Sequence, residues 1–172
     1  MNQGKPASNR LSAPDFWRWV ALAVLLIGLD QVTKYHFNTV LQYGQRMNLL
    51  PFFDFTLLYN EGAAFSFLAG ADGWQRWFFT ALGFVASALI LFLLRRHAAQ
   101  RRFSLALTLI LGGALGNVID RLQHGHVVDF LLFYWNNAYF PAFNFADICI
   151  TVGAILLLWD ELARARRVRA GS

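Results

Sequence analysis

Two stretches without a charged residue, Trp77 to Leu94 and Phe103 to Ile119, constrain this chain more than any other feature of its sequence. Each approaches the roughly 20 apolar residues that an α-helix needs to cross a ~30 Å hydrocarbon core. Two such spans in 172 residues leave little length for a water-soluble core. Composition agrees, at 57% hydrophobic and 15% charged, where a soluble domain carries about a quarter charged residues. The chain reads as an all-α membrane protein.

The remaining segments fall around these spans. Residues 1–15 are polar, with Gly4, Pro6, Ser8 and Asn9, and read as a disordered tail. The first span runs from Phe16 to Phe37, with Trp17 and Trp19 suited to the membrane interface and Val20 to Leu29 unbroken apolar sequence. No small-residue cleavage site follows, and Asp30 and Lys34 continue the helix, so it reads as retained rather than as a secretion signal. Residues 44–73 do not span. Within them Phe53, Phe55, Leu57 and Tyr59 alternate with Asp54, Thr56 and Leu58, the period of a short strand. The second span covers Trp74 to Leu94 and the third Phe103 to Asp120. A loop rich in Phe, Tyr, Trp, His and Asn, with Pro141 in it, leads to a fourth span from Asn144 to Leu162. Residues 16–163 thus form one four-helix transmembrane domain that includes the segment 44–73, and residues 164–172 are a basic tail.

Lysine and arginine orient these spans. Lys5, Arg10 and Arg18 precede or open the first; Arg95, Arg96, Arg101 and Arg102 lie between the second and third; Arg164, Arg166, Arg167 and Arg169 follow the fourth. Eleven of the fifteen basic residues share one side, which the positive-inside rule assigns to the cytoplasm together with both termini. Lys34, Arg46, Arg76 and Arg121 are left opposite. The net charge of +5 is a topology signal and calls for no nucleic acid.

On that topology seven of the ten acidic residues (Asp30, Asp54, Glu61, Asp72, Asp120, Asp129, Asp147) gather at or beyond the outer interface. Asp30, Asp120, Asp129 and Asp147 are embedded in apolar sequence, where an ionisable group is costly and needs a partner or a task. Structural readings stand beside functional ones. Asp30 and Lys34, one turn apart, make an ion pair that braces the first helix. Asp120 is held ionised by the adjacent Arg121. Asp147 completes a capping arrangement with Asn144. Asp129, in His126-Val127-Val128-Asp129-Phe130, has no neighbouring cation, and a carboxylate there has a raised pKa unless another group shares its proton. Asp129 and Asp147 are 18 residues apart, which permits the loop to fold back onto the fourth helix, and two carboxylates brought close there hold one proton between them. One then deprotonates a water while the other donates to a peptide carbonyl, which is aspartic proteolysis.

Other chemistry is weaker. Lys34 as the base for a serine such as Ser66 has no supporting motif. His124 and His126 flank Gly125 as ordinary loop residues do, and with no CxxC or HExxH neither a metal nor another cofactor is expected. Cys149, alone in the chain, precludes an intrachain disulfide. Gly112, Gly113 and Gly116 read as close helix packing rather than a phosphate loop.

Five blocks occur in order along the chain: Asp30-Gln31-Val32-Thr33-Lys34; Tyr59-Asn60-Glu61-Gly62-Ala63-Ala64-Phe65; Gly112-Gly113-Ala114-Leu115-Gly116-Asn117-Val118-Ile119-Asp120-Arg121; Val127-Val128-Asp129-Phe130; and Phe143-Asn144-Phe145-Ala146-Asp147. Together they resemble the lipoprotein signal peptidase family, the type II signal peptidases. The resemblance implies four transmembrane helices, a small extracytoplasmic β-cradle at residues 44–73, a short interfacial helix, and a catalytic aspartate dyad on Asp129 and Asp147. Asn60, Gly62, Asn117, Arg121 and Asn144 fall on positions that line the substrate site, and Asp30, Lys34 and Asp120 on polar positions that support it. The implied activity is cleavage of the signal peptide from diacylglyceryl-modified prolipoproteins just before the lipobox cysteine. The implied setting is the bacterial cytoplasmic (inner) membrane, where a lipid-embedded monomer carries its active site on the extracytoplasmic face. The rival reading is a small ion- or proton-coupled transporter subunit. Against it, the polar groups gather at one face with no chain of them through the midplane. A purely structural membrane partner has no need of an apolar Asp129.

Overall fold

A computed structural model of the chain describes residues 13–62 and 73–170. Four long helices and four strands alternate as α1 (Ala13–Val40), β1 (Arg46–Leu50), β2 (Phe53–Asn60), α2 (Trp74–His97), α3 (Arg101–His124), β3 (Val127–Trp135), β4 (Ala138–Tyr139) and α4 (Phe145–Ala170). By length and composition α1, α2 and α3 each suffice to cross a membrane. α4 has 26 residues, but its uncharged run is confined between Asp147 and Asp160. The arginines after Leu162 continue this helix.

α3 is the central helix, packed against α1, α2 and α4. Between apolar helices in an apolar solvent, contact comes from close packing of small residues. A Cβ on Gly112 would meet Leu26 of α1 at 2.8 Å, and one on Gly153 of α4 would meet the Ala106 carbonyl of α3 at 2.7 Å. At Gly113 and Gly116 it would strike the Ala146 carbonyl and the Asp30 carboxylate. The glycine step in α3 is therefore a packing device, as its sequence indicates. Ala23, Ile90, Leu94, Leu107 and Leu111 form the core of the bundle's lower half. The outward faces remain apolar and exposed, with Val24 and Leu25 on α1, Val85 and Leu89 on α2, and Ile155 and Leu158 on α4.

The sheet caps the end where α1 and α3 finish and α4 begins. Its strands run β1-β2-β3-β4, each antiparallel to its neighbour. It draws on residues 127–139 as well as on 46–60, so it extends beyond the cradle the sequence marks out. β3 occupies the stretch read there as a loop. Val127, Val128, Asp129 and Phe130 are all buried, so the strand lacks the alternation that betrays a half-exposed one. Its signal is a β-branched and aromatic run bounded by turns: Gly125 at φ 86° ends α3, and Asn136 at φ 51° starts the hairpin. The expected interfacial helix has no counterpart among the described residues. Residues 1–12 and 63–72, with Asp72 and most of the N-terminal tail, lie outside them.

Two irregularities aim the sheet at the helix ends. In β2 an extra residue between Phe55 and Leu58 leaves Thr56 and Leu57 both buried and sets Leu58 opposite Asp129. After β4 the chain returns along β3. Phe143 donates to the Leu131 carbonyl at 3.0 Å, and its own carbonyl accepts from Phe130 and Leu131 at 3.1 and 2.9 Å. This return delivers Asn144 beside Asp129.

Candidate functional site

The polar residues of the sheet end form two connected layers. The deeper one is an ion triad. Lys34 of α1 lies 2.8 Å from Asp30 one turn earlier and 2.9 Å from Asp120 of α3. All three side chains are buried to within 3% of full burial. The pair read as a brace within α1 is thus shared with α3. Asp120 is ion-paired, but its cation is Lys34 and not the Arg121 its sequence setting points to. Arg121 instead donates to the Asn117 carbonyl at 3.3 Å and lies over the Phe79 ring.

Neutral donors complete the triad. Asp30 accepts the Ala146 amide at 3.0 Å, and Asp120 accepts the Val128 amide at 3.1 Å. A residue quoted in the sequence motif without a role, Gln31, spans both carboxylates at 3.2 and 2.8 Å and also donates to the Gly116 carbonyl. A buried charge survives only when paired and hydrogen-bonded. Here that requirement fixes the first turn of α4 and the start of β3 to the ends of α1 and α3.

The upper layer holds Asp129 and Asp147. Asn144 is the N-cap of α4, with Asp147 three residues on. The Asp147 amide donates to the Asn144 side chain at 3.0 Å while the Asn144 amide donates to the Asp147 carboxylate at 3.2 Å, the reciprocal bonding of a capping box. The Asn144 side-chain NH2 then donates to Asp129 at 2.7 Å. One fully buried asparagine therefore touches both carboxylates. Asn117 donates to the other oxygen of Asp147 at 2.9 Å, and its own oxygen accepts from Lys34 at 2.8 Å. Asn60 donates to the second oxygen of Asp129 at 3.0 Å and is itself held by the Gly62 amide at 2.9 Å.

Asp129 is 3% exposed and lies on β3, outside the long helices. Burial, and next the charge of Asp147, push its carboxyl up to about 7 against the pull of Asn60 and Asn144. Of the site residues that the resemblance marks, all lie in this network except Arg121, beside it over Phe79. Among the described residues no cluster of three metal-ligating side chains occurs. Outside the network, Asp54 is bound by Arg46 at 2.7 Å and Asn48 at 2.9 Å within the sheet, and His126 stacks on Tyr59.

Known proteins share this architecture. The lipoprotein signal peptidase of Burkholderia vietnamiensis is 55% identical over 165 residues, 96% of each chain. That of Cupriavidus necator is 58% identical over 160 residues, covering 93% of this chain and 91% of its own. A bacterial membrane enzyme solved in meso at 2.3 Å resolution superposes with a TM-score of 0.76 at 32% identity, over 86% of this chain and 89% of that one. The profile of the family described as Signal peptidase (SPase) II matches residues 22–163, from the first helix through the fourth. By the extent of these matches, the chain belongs to the signal peptidase II family.

Proposed function

We propose that this bacterial membrane protein is an aspartic endopeptidase that removes the signal peptide from diacylglyceryl-modified prolipoproteins just before the lipidated cysteine. The observation that carries the chemistry is the contact of Asn144 with both Asp129 and Asp147. In the resting pair Asp129, buried and pushed up to about 7, holds the proton. Asp147 accepts N–H bonds on both oxygens in the first turn of a helix. A water between them gives its proton to Asp147 as its oxygen adds to the scissile carbonyl carbon, while Asp129 donates its proton to the carbonyl oxygen. Return of a proton to the amide nitrogen breaks the C–N bond and releases the signal peptide. No cofactor enters this cycle.

Asn60, Gly62, Asn117, Arg121 and Asn144 line the substrate site, and Asp30, Lys34 and Asp120 support it. α4 is the fourth span, both termini are cytoplasmic, and the site faces outward from the inner membrane as part of a monomer. The sheet at that end, with the segment 44–73, cradles the peptide. The apolar core below the triad offers an ion or proton no path, which speaks against a transporter.

The test is cleavage of a diacylglyceryl-modified precursor by detergent-purified protein, with melting measured on the same samples. The parent processes the precursor. Asp129→Asn and Asp147→Asn each lose on the order of 10³-fold or more in turnover without a loss of melting temperature. Parental cleavage by either variant overturns the aspartic mechanism.

A further inference from the structure

The end of the bundle opposite the dyad carries a cavity that the peptidase reaction leaves unused. It lies between the start of α3 and the end of α4, has a volume of about 380 Å³, and is lined by Arg101, Arg102, Arg164 and Arg167 with Gln100 and Asp160. From Arg101 to Asn117 is ~24 Å along α3 at 1.5 Å per residue, so the cavity stands most of a bilayer core away from the dyad. Asp160 pairs with Arg164 at 3.0 Å, and Arg164 also donates to Gln100 at 3.2 Å. Among the described residues, Arg101, Arg102 and Arg167 make no ion pair. Three uncompensated guanidinium groups thus face one cavity.

A second, adjoining cavity specifies the rest of the ligand. Ala163 lines both, and the second is otherwise lined by Trp159, Leu162 and Arg166. Trp159 and Leu162 are exposed and lie on the side of the arginines toward the apolar run of α4. A cationic cavity opening onto an apolar groove at a helix end matches an amphiphile with an anionic head and hydrocarbon tails, as basic pockets between helix ends do. Guanidinium forks suit phosphate oxygens in particular.

We propose that this cavity binds the phosphate of an anionic glycerophospholipid, with its acyl chains leaving along Trp159 and Leu162. The lipid belongs to the cytoplasmic leaflet, an assignment that rests on the topology proposed above and not on the peptidase chemistry. Bound there, it bridges α3 to α4 at the end where α4 is most charged.

The test uses the full-length protein in zwitterionic detergent, titrated separately with phosphatidylglycerol, phosphatidylcholine and inorganic phosphate while melting and retained lipid by native mass spectrometry are read. Phosphatidylglycerol is expected to raise the melting temperature and remain bound at about one per chain. Phosphatidylcholine and inorganic phosphate at the same concentration are expected to do neither. The Arg102→Gln/Arg167→Gln variant should melt as the parent does without lipid and bind phosphatidylglycerol on the order of tenfold more weakly. Arg95→Gln/Arg96→Gln removes the same charge from α2, outside the cavity, and should bind as the parent does. Equal weakening in both variants reduces the effect to diffuse surface charge and overturns the site. Stabilisation by inorganic phosphate equal to that by lipid overturns the lipid as its ligand. Cleavage by the Arg102→Gln/Arg167→Gln variant, read in parallel, keeps a failure here separate from a failure of the peptidase reading.

Discussion

Asn144 donates to Asp129 at 2.7 Å, yet the Asp129 carboxyl still stands at about 7 because its burial outweighs that bond. This has a signed consequence for stability. Between roughly pH 4 and pH 7 the unfolded chain has lost this proton and the folded one keeps it, so native stability falls as pH rises and levels off above 7. Asp129→Asn removes the dependence. The melting temperature of the variant minus that of the parent is therefore expected to grow from pH 4 to pH 7, by the equivalent of up to ~4 kcal/mol, and then to flatten. A difference that shrinks over this range contradicts the assignment of the proton to Asp129. Turnover by the parent should decline above about pH 7 for the same reason.

Asn60 bonds the other oxygen of Asp129 and draws its carboxyl downward. Asn60→Ala should push that carboxyl further up and move the alkaline limb of the cleavage profile to higher pH. Turnover at the optimum should drop about tenfold through lost positioning. An alkaline limb that stays in place while turnover falls would reduce Asn60 to a peptide contact.

Much of this arrangement is legible in the sequence, for reasons that differ by element. The three helices long and apolar enough to cross a membrane follow from apolar length, and the five motif blocks carry the polar residues that meet at one end. The capping box of Asn144 and Asp147 is visible in their spacing because the bonding is local. β3 is not, because burial on both faces of Val127 to Phe130 erases the alternation that marks a strand. The partner of Asp120 is also out of reach. Arg121 is its neighbour in sequence, but consecutive helix residues point apart, and Lys34 arrives from another helix. Gln31 is overlooked because nothing local marks its reach to α3.

Topology offers an independent check. Asp147 and Asp160 are 13 residues, or ~20 Å, apart along α4, less than a ~30 Å hydrocarbon core. The helix spans only if its charged ends lie within the interfaces. Reporter fusions at Asn137 are expected to read extracytoplasmic and fusions at the C-terminus cytoplasmic. The same side for both means that α4 does not cross.

Gly62 tests the link between the sheet and α2. Its φ of 109° is costly for any residue with a side chain, and a Cβ there would lie 2.7 Å from the Phe79 ring. Gly62→Ala should destabilise the fold by about 1–3 kcal/mol and reduce cleavage, because the Gly62 amide holds the Asn60 side chain. Adding Phe79→Leu removes the clash and not the backbone strain, so it should recover part of the loss. Full recovery would show that sterics alone forbid a side chain at Gly62.

The ion triad makes the strongest stability prediction. Lys34 neutralises one of two buried carboxylates and is shared by both. Lys34→Met leaves Asp30 and Asp120 facing each other without a cation, and breaking a buried pair in this way costs about 3–5 kcal/mol. Asp120→Asn is milder: Lys34 keeps Asp30, and the amide oxygen still accepts a bond, so about 1–2 kcal/mol is expected. Because Asp120 also holds the Val128 amide at 3.1 Å, one residue before Asp129, it should lose activity beyond what its stability explains. The double variant decides whether the groups act as one unit. If they do, Lys34→Met/Asp120→Asn is more stable than the sum of the single losses allows, by 0.5–3 kcal/mol for residues in one network, roughly. Additive losses would mean that Lys34 serves Asp30 alone and that the link from α1 to α3 carries no energy.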